Sequence, residues 1–175
     1  MAKKDPFLRY AVTSFYHFTD RRNLPMIREY GGLYSLAMLR EMAVEIPAPG
    51  GNDWSHDADG YKGLDKYVHL CFRQNHPMLY RAMQDERIVV PIYLEIHPDV
   101  LKMDGVMYTA DVSNKAGIEV HTLDQARELI DFEVLYTRTN WRDPEINQRL
   151  HSAEKCELLI PDHIPLELIR NFPHG

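Results

Sequence analysis

A chain of 175 residues with 45% hydrophobic content and a formal net charge of −6 fits one globular domain, residues 1–175, with a core of its own and no disordered or collagenous bias. The negative balance excludes a protein that coats nucleic acid through a general basic field, so any nucleic-acid contact must be local. No stretch approaches the roughly 18 apolar residues of a membrane span, and the basic start from Met1 to Pro6 lacks an apolar core; a cytoplasmic protein with no membrane partner is expected.

In chain order the elements predict a mixed α and β protein. Ser14 to Phe18 reads as a first strand running into a helix start, where Asn23 can cap, Pro25 lies in the first turn and Gly31-Gly32 end the helix. Ser35 can cap a second helix through Glu41, and Pro47 to Gly63 reads as a loop within the domain. Tyr67 to Phe72 and Ile88 to Ile96 have the composition of strands, with a helix from Met78 to Gln84 between them. Pro91 puts the second strand at an edge or a bulge. Thr122 and Gln125 match a capping box for a helix to about Ile130, and Asp143-Pro144 offers a cap and first-turn proline for a helix toward Leu150.

The last strand is led by Glu157, in Cys156-Glu157-Leu158-Leu159-Ile160-Pro161. A carboxylate heading a buried apolar run costs several kcal/mol unless something polar meets it, and a ligand is one candidate. Gly-x-Gly-x-x-Gly after a strand, a Gly-Lys-Ser/Thr loop and His-Glu-x-x-His are all missing, which removes Rossmann, P-loop and zinc-protease readings. The nine histidines are scattered without a ligand pair on one helix face, so no metal is expected. Cys71 and Cys156 are too few for a disulfide framework and read as reduced, buried thiols.

Three segments carry a resemblance: Tyr16-His17-Phe18-Thr19 with Asn23 and Gly31-Gly32-Leu33, then Tyr67 through Tyr80 with Phe72 and Pro77-Met78-Leu79, then Cys156 through Pro165 with proline eight residues after Glu157. In this order they resemble the DarT family, over about Phe15 to Ile169. The resemblance implies an α+β ADP-ribosyltransferase fold, a split central β-sheet with flanking helices around an NAD cleft. It implies a mono-ADP-ribosyltransferase toxin that modifies a base of single-stranded DNA with NAD as donor, neutralised by an antitoxin with an ADP-ribose-removing macrodomain. Carried over by position, His17 and Thr19 would hold the adenosine-side ribose, Asn23 would sit beside the dinucleotide and Phe72 near the nicotinamide. Glu157 would be catalytic, with Arg40 the best candidate for the family's phosphate-contacting arginine, although its surroundings match poorly.

Several alternatives stand beside these. His17 has a second reading as a packed strand-end histidine, Phe72 as core, and Glu154 as the acid in place of Glu157, though the resemblance favours a ligand role for His17 and the proline spacing favours Glu157. Tyr136, Arg138, Trp141 and Arg142 precede the glutamate where this fold carries its target loop, and aromatics among arginines can stack exposed bases; an ordinary turn with Trp141 packed down is the other reading. The family's Tyr-Val-Pro-Phe-Tyr-Phe strand appears as Tyr67-Val68-His69-Leu70-Cys71-Phe72, and its Trp-Tyr ending has no counterpart. Transfer to RNA or protein is therefore the first rival, and a non-catalytic NAD- or ADP-ribose-binding module the second.

Overall fold

The computed structural model describes residues 4–50 and 63–174. Its strands are β1 (Phe15–Asp20), β2 (Gly32–Tyr34), β3 (Tyr67–Cys71), β4 (Pro91–Ile96), β5 (Met107–Thr109), β6 (Glu157–Pro161) and β7 (His163–Pro165). Five form an antiparallel sheet in the order β4-β1-β3-β6-β5, and β2 pairs with β7 in a separate antiparallel ribbon. This is the α+β, split-sheet arrangement expected. Helices at Leu24–Tyr30, Leu36–Glu41, Pro77–Gln84, Leu123–Leu129, Phe132–Tyr136 and Pro144–Glu154 pack around it. Among the described residues no helix is long and apolar enough to cross a membrane.

Local chemistry accounts for most boundaries. Thr122 and Gln125 form the reciprocal capping box expected of them, and the Asp143 carboxylate accepts the N–H groups of Glu145 and Ile146 at the next helix start. That helix runs on to Glu154 rather than stopping near Leu150. Gly31 ends its helix in the left-handed conformation, at φ 76°. A Cβ on Gly32 would lie 2.1 Å from the Ile164 carbonyl oxygen, so only glycine lets β2 lie this close to β7. Pro91 opens β4 at the sheet edge, where no ladder N–H is needed.

Two expectations are corrected. Asn23 is not a side-chain cap: it ends a short 3₁₀ turn, Arg21–Asn23, that Asp20 caps instead, and its amide is used elsewhere. Ile88 to Val90 do not join β4, because the Asp20 carboxylate takes the N–H groups of Val89 at 2.7 Å and Val90 at 3.1 Å. The stretch ahead of Tyr136 is a helix, Phe132–Tyr136, capped by Asp131. Of the loop read from Pro47 to Gly63, residues 51–62 lie outside the described residues, and Pro47 to Gly50 have neither helix nor strand.

An aromatic cluster fills one side of the large sheet. Phe7 meets Phe15 and Phe132 edge-on at 5.3 Å, and Phe72 meets Phe132 at 5.7 Å. Cys71 and Cys156 are buried free thiols.

Asp20 ties the end of β1 to the start of β4. It is fully buried and accepts from the backbone of Arg22, Val89 and Val90 and from Nε and Nη2 of the Arg22 guanidinium. The Arg22 side chain first, then the backbone N–H groups, hold its carboxyl well below the usual carboxylate range, against burial. A depressed pKa means a contribution present at neutral pH and lost as acid protonates the group. Asp20→Ala should therefore cost about 2–4 kcal/mol in urea denaturation at neutral pH, and its deficit against the unaltered protein should shrink below about pH 4.

Candidate active site

β1 pairs with β4 along its whole length, from Phe15 opposite Ile96 to Asp20 opposite Pro91, and β3 pairs with β6 from Tyr67 to Cys71. Between β1 and β3, however, the ladder has a single rung, Tyr16 opposite Cys71. Beyond it the strands part. His17 spans the gap by donating Nδ1–H to the His69 carbonyl at 3.0 Å. A cavity of about 220 Å³ opens there, with apolar walls from Ile27, Leu33, Leu39 and Met78 and polar groups from His17, Thr19, Tyr34, His69, Ser113 and Glu157. An apolar hollow with a few convergent polar groups is the usual form of a small-molecule site.

Glu157 lies opposite Cys71 in the β3–β6 ladder, so it shares a face with Cys71 and His69. Only 4% exposed, it is fully engaged on one side. Oε1 lies 3.2 Å from His69 Nδ1, Oε2 accepts the Ser113 N–H at 2.6 Å, and the Ser113 hydroxyl reaches Oε1 at 3.4 Å. Burial alone would raise its pKa. The His69 hydrogen bond and charge, the charge of His76 and the Ser113 N–H outweigh that and hold the carboxyl below its ordinary value. The remaining ring nitrogen of His69, Nε2, donates to the Leu64 carbonyl at 2.9 Å.

Around Thr19 and Asn23 the wall is held by neutral contacts. Thr19 Oγ1 accepts from the Asn23 amide at 3.0 Å. The same amide group donates to the Ala48 carbonyl at 2.7 Å and accepts the Ala48 N–H at 2.8 Å, clasping the chain before Pro49 against the cavity. Tyr34 stacks on His163 at 4.1 Å, where β2 meets β7. Among the described residues no group of three His, Cys, Asp or Glu could hold a metal ion.

Of the residues expected here, His17, Thr19, Asn23 and Glu157 meet at the cavity. Phe72 does not: it follows Leu70 onto the opposite face and is buried among Phe7, Phe15 and Phe132. Arg40 is half exposed and pairs with Asp65 at 3.2 Å; Leu36 and Leu39 of its helix line the cavity, while Arg40 reaches it only through Asp65. Glu154 is buried elsewhere, bound to Asn75 and 4.0 Å from Arg73. None of Tyr136, Arg138, Trp141 and Arg142 lines the cavity. Trp141 is 62% exposed with the Arg142 guanidinium 5.3 Å from its ring, which rules out a packed-down indole. Tyr136 turns inward instead, its ring 6.0 Å from Tyr10 and its hydroxyl buried without a partner among the described residues. It closes a helix whose apolar residues face the core, so it is not open to a base.

His69 and Ser113 are the residues that sequence reasoning missed. A signal for His69 existed in the pairing of two apolar strands, which sets position 69 diagonally across from 157. Ser113 had none, because it reaches Glu157 by a chain reversal after β5 in which the Thr109 hydroxyl bonds the Asp111 carbonyl and Val112 N–H bonds the Asp111 carboxylate.

No curated protein matches the chain by sequence. Solved structures do match in fold: Thermus sp. 2.9 DarT in complex with ADP-ribosylated single-stranded DNA is 19% identical with a TM-score of 0.65, the match covering 91% of this chain and 79% of that one. Thermus sp. 2.9 DarT in complex with NAD+ gives 20% identity and a TM-score of 0.57, over 91% and 80% of the two chains. Thermosipho africanus DarTG in complex with ADP-ribose gives 19% and 0.65, over 90% of this chain and 42% of that one. The family model described as ssDNA thymidine ADP-ribosyltransferase, DarT, matches residues 16–172. With nearly the whole chain inside that match and a split sheet to go with it, this protein belongs to the DarT family of NAD-dependent ADP-ribosyltransferases.

Proposed function

We propose that the chain, acting as a single domain over residues 1–175 in the cytoplasm, transfers one ADP-ribose group from NAD to thymidine bases of single-stranded DNA. The observation that carries this reading is Glu157, a buried carboxylate kept anionic and facing a cavity at the parting of two strands. Bound NAD supplies the ADP-ribosyl group and nicotinamide as the group that leaves. Separation of the two leaves positive charge on the ribose, and a fixed anion in a water-poor site favours that state over the ground state. A carboxylate has about four acceptor positions, of which His69 and the two Ser113 donors take three; one remains for a ribose hydroxyl. The same carboxylate can take the proton that the attacking base gives up.

In this reading His17 and Thr19 bind the donor's ribose and Asn23 holds the wall beside it through Ala48. Arg40 is left a minor part, steadying Asp65 at the rim. Arg138, Trp141 and Arg142 meet the acceptor strand, which fits an acidic protein that must bind DNA by a local patch. A bulky, charged ADP-ribose group on DNA bases would injure the cell that makes the enzyme. That hazard supports the role of a toxin in a toxin–antitoxin or phage-defence module, with a neutralising partner that carries an ADP-ribose-removing macrodomain.

Incubation with labelled NAD and separate pools of single-stranded DNA, RNA and protein tests the reading: label should enter DNA. Glu157→Gln should lower the rate about 100- to 1000-fold with the fold intact, and Glu154→Gln should change it only a few-fold. Label entering RNA or protein instead, or the reverse ranking of the two glutamates, would refute the assignment.

Trp141→Ala should weaken single-stranded DNA binding by about 1–3 kcal/mol. Arg138→Ala and Arg142→Ala should each reduce the salt dependence of binding by about one phosphate contact. Fluorescence titrations at several salt concentrations measure both, and calorimetry should find NAD binding unchanged in all three.

A further inference from the structure

His69 sits between two acceptors. Its Nε2 lies 2.9 Å from the Leu64 carbonyl, which can only accept, so Nε2 carries a hydrogen. Its Nδ1 lies 3.2 Å from Glu157 Oε1. Without a proton on Nδ1, two lone pairs would face each other across that distance. The Ser113 N–H at 2.6 Å favours charge on the carboxylate, which puts the proton on the imidazole side.

We propose that His69 is a positioning residue for Glu157 whose imidazolium form is required for turnover, so that the alkaline limit of activity belongs to the Glu157–His69 pair. The inference rests on the transferase reading above. One proton separates the working pair from a repelling one: its loss from Nδ1 removes the bond that fixes Oε1 and turns the carboxylate away from the donor's ribose. Four neighbouring groups among the described residues are moved away from neutral pH. Burial first of all keeps His17 and His76 below the ordinary histidine value. Burial, then the Glu157 charge, pushes the Cys71 thiol up, and burial with Asp111 and Glu157 raises Cys156 to about 12. Asp65 and Tyr67 line the same cavity, and in the Ser113 segment Asp111 is paired with Lys115 at 2.7 Å.

The test follows transfer to DNA from neutral to alkaline pH in the wild type, His69→Asn and His69→Leu. Asparagine can offer an N–H to Oε1 but does not titrate. His69→Asn should retain most of the turnover and lack the alkaline fall seen in the wild type, which no ionisation of the base can explain because all variants share the same DNA. His69→Leu should lose about 100-fold in kcat with little change in the KM for NAD. A wild-type profile in His69→Asn, or wild-type kcat in folded His69→Leu, overturns the proposal. Ring ¹⁵N NMR gives an answer independent of turnover. The His69 signal, identified by its loss in His69→Asn, should show both nitrogens protonated at neutral pH and a lower titration midpoint in Glu157→Gln. A neutral His69 ring at neutral pH overturns the proposal; absence of DNA labelling by the wild type overturns the transferase reading and leaves the NMR result to decide the pair.

Discussion

A negative charge buried at the head of a central strand is the constraint around which the site is arranged. An ionised carboxylate without partners in such a place would cost several kcal/mol or take up a proton and lose its charge. Glu157 escapes both outcomes because three donors converge on it, from β3 and from the segment after β5. Each donor in turn is fixed from behind: His69 by the Leu64 carbonyl, Ser113 by the turn through Asp111. The carboxylate's orientation is thus settled before any ligand arrives, which is what electrostatic preorganisation means in structural terms.

The second element is an interrupted sheet. Were β1 and β3 paired along their length, the space now lined by His17, Thr19 and Glu157 would be filled by backbone ladder. The single rung at Tyr16 and Cys71 keeps the two halves joined, and the β2–β7 ribbon pairs chain that follows β1 with chain that follows β6. Unpaired backbone inside a protein needs partners. The His17 side chain supplies one for the His69 carbonyl, so a residue at the cavity also seals the gap that creates it.

Much of this was legible in sequence wherever the cause is local. The capping box at Thr122 and the glycines at Gly31 and Gly32 each marked an element end that the structure has, and Pro91 marked an edge strand. Failures came where a distant group competes. Asp20 draws in the N–H groups of Val89 and Val90 from far along the chain, a contest no short window reveals. Phe72 was carried to the site by resemblance, with core as its other reading, and the strand could not decide between them, because apart from His69 the run Tyr67 to Phe72 is apolar on both faces and alternation then says little about direction. Glu157 itself was readable as a charge in an apolar run, whereas what satisfies it was not.

The two kinds of contact around the cavity respond to different conditions. Asn23 and Ala48 exchange a donor and an acceptor as two neutral amides, the bonding of a strand pair made by a side chain. Such a clasp has no charge for salt to screen and no proton to lose. The carboxylate and imidazole on the opposite wall have both. The hollow should therefore keep its shape over a range of ionic strength and pH across which its electric character changes, so that a solution condition that silences the site need not empty it.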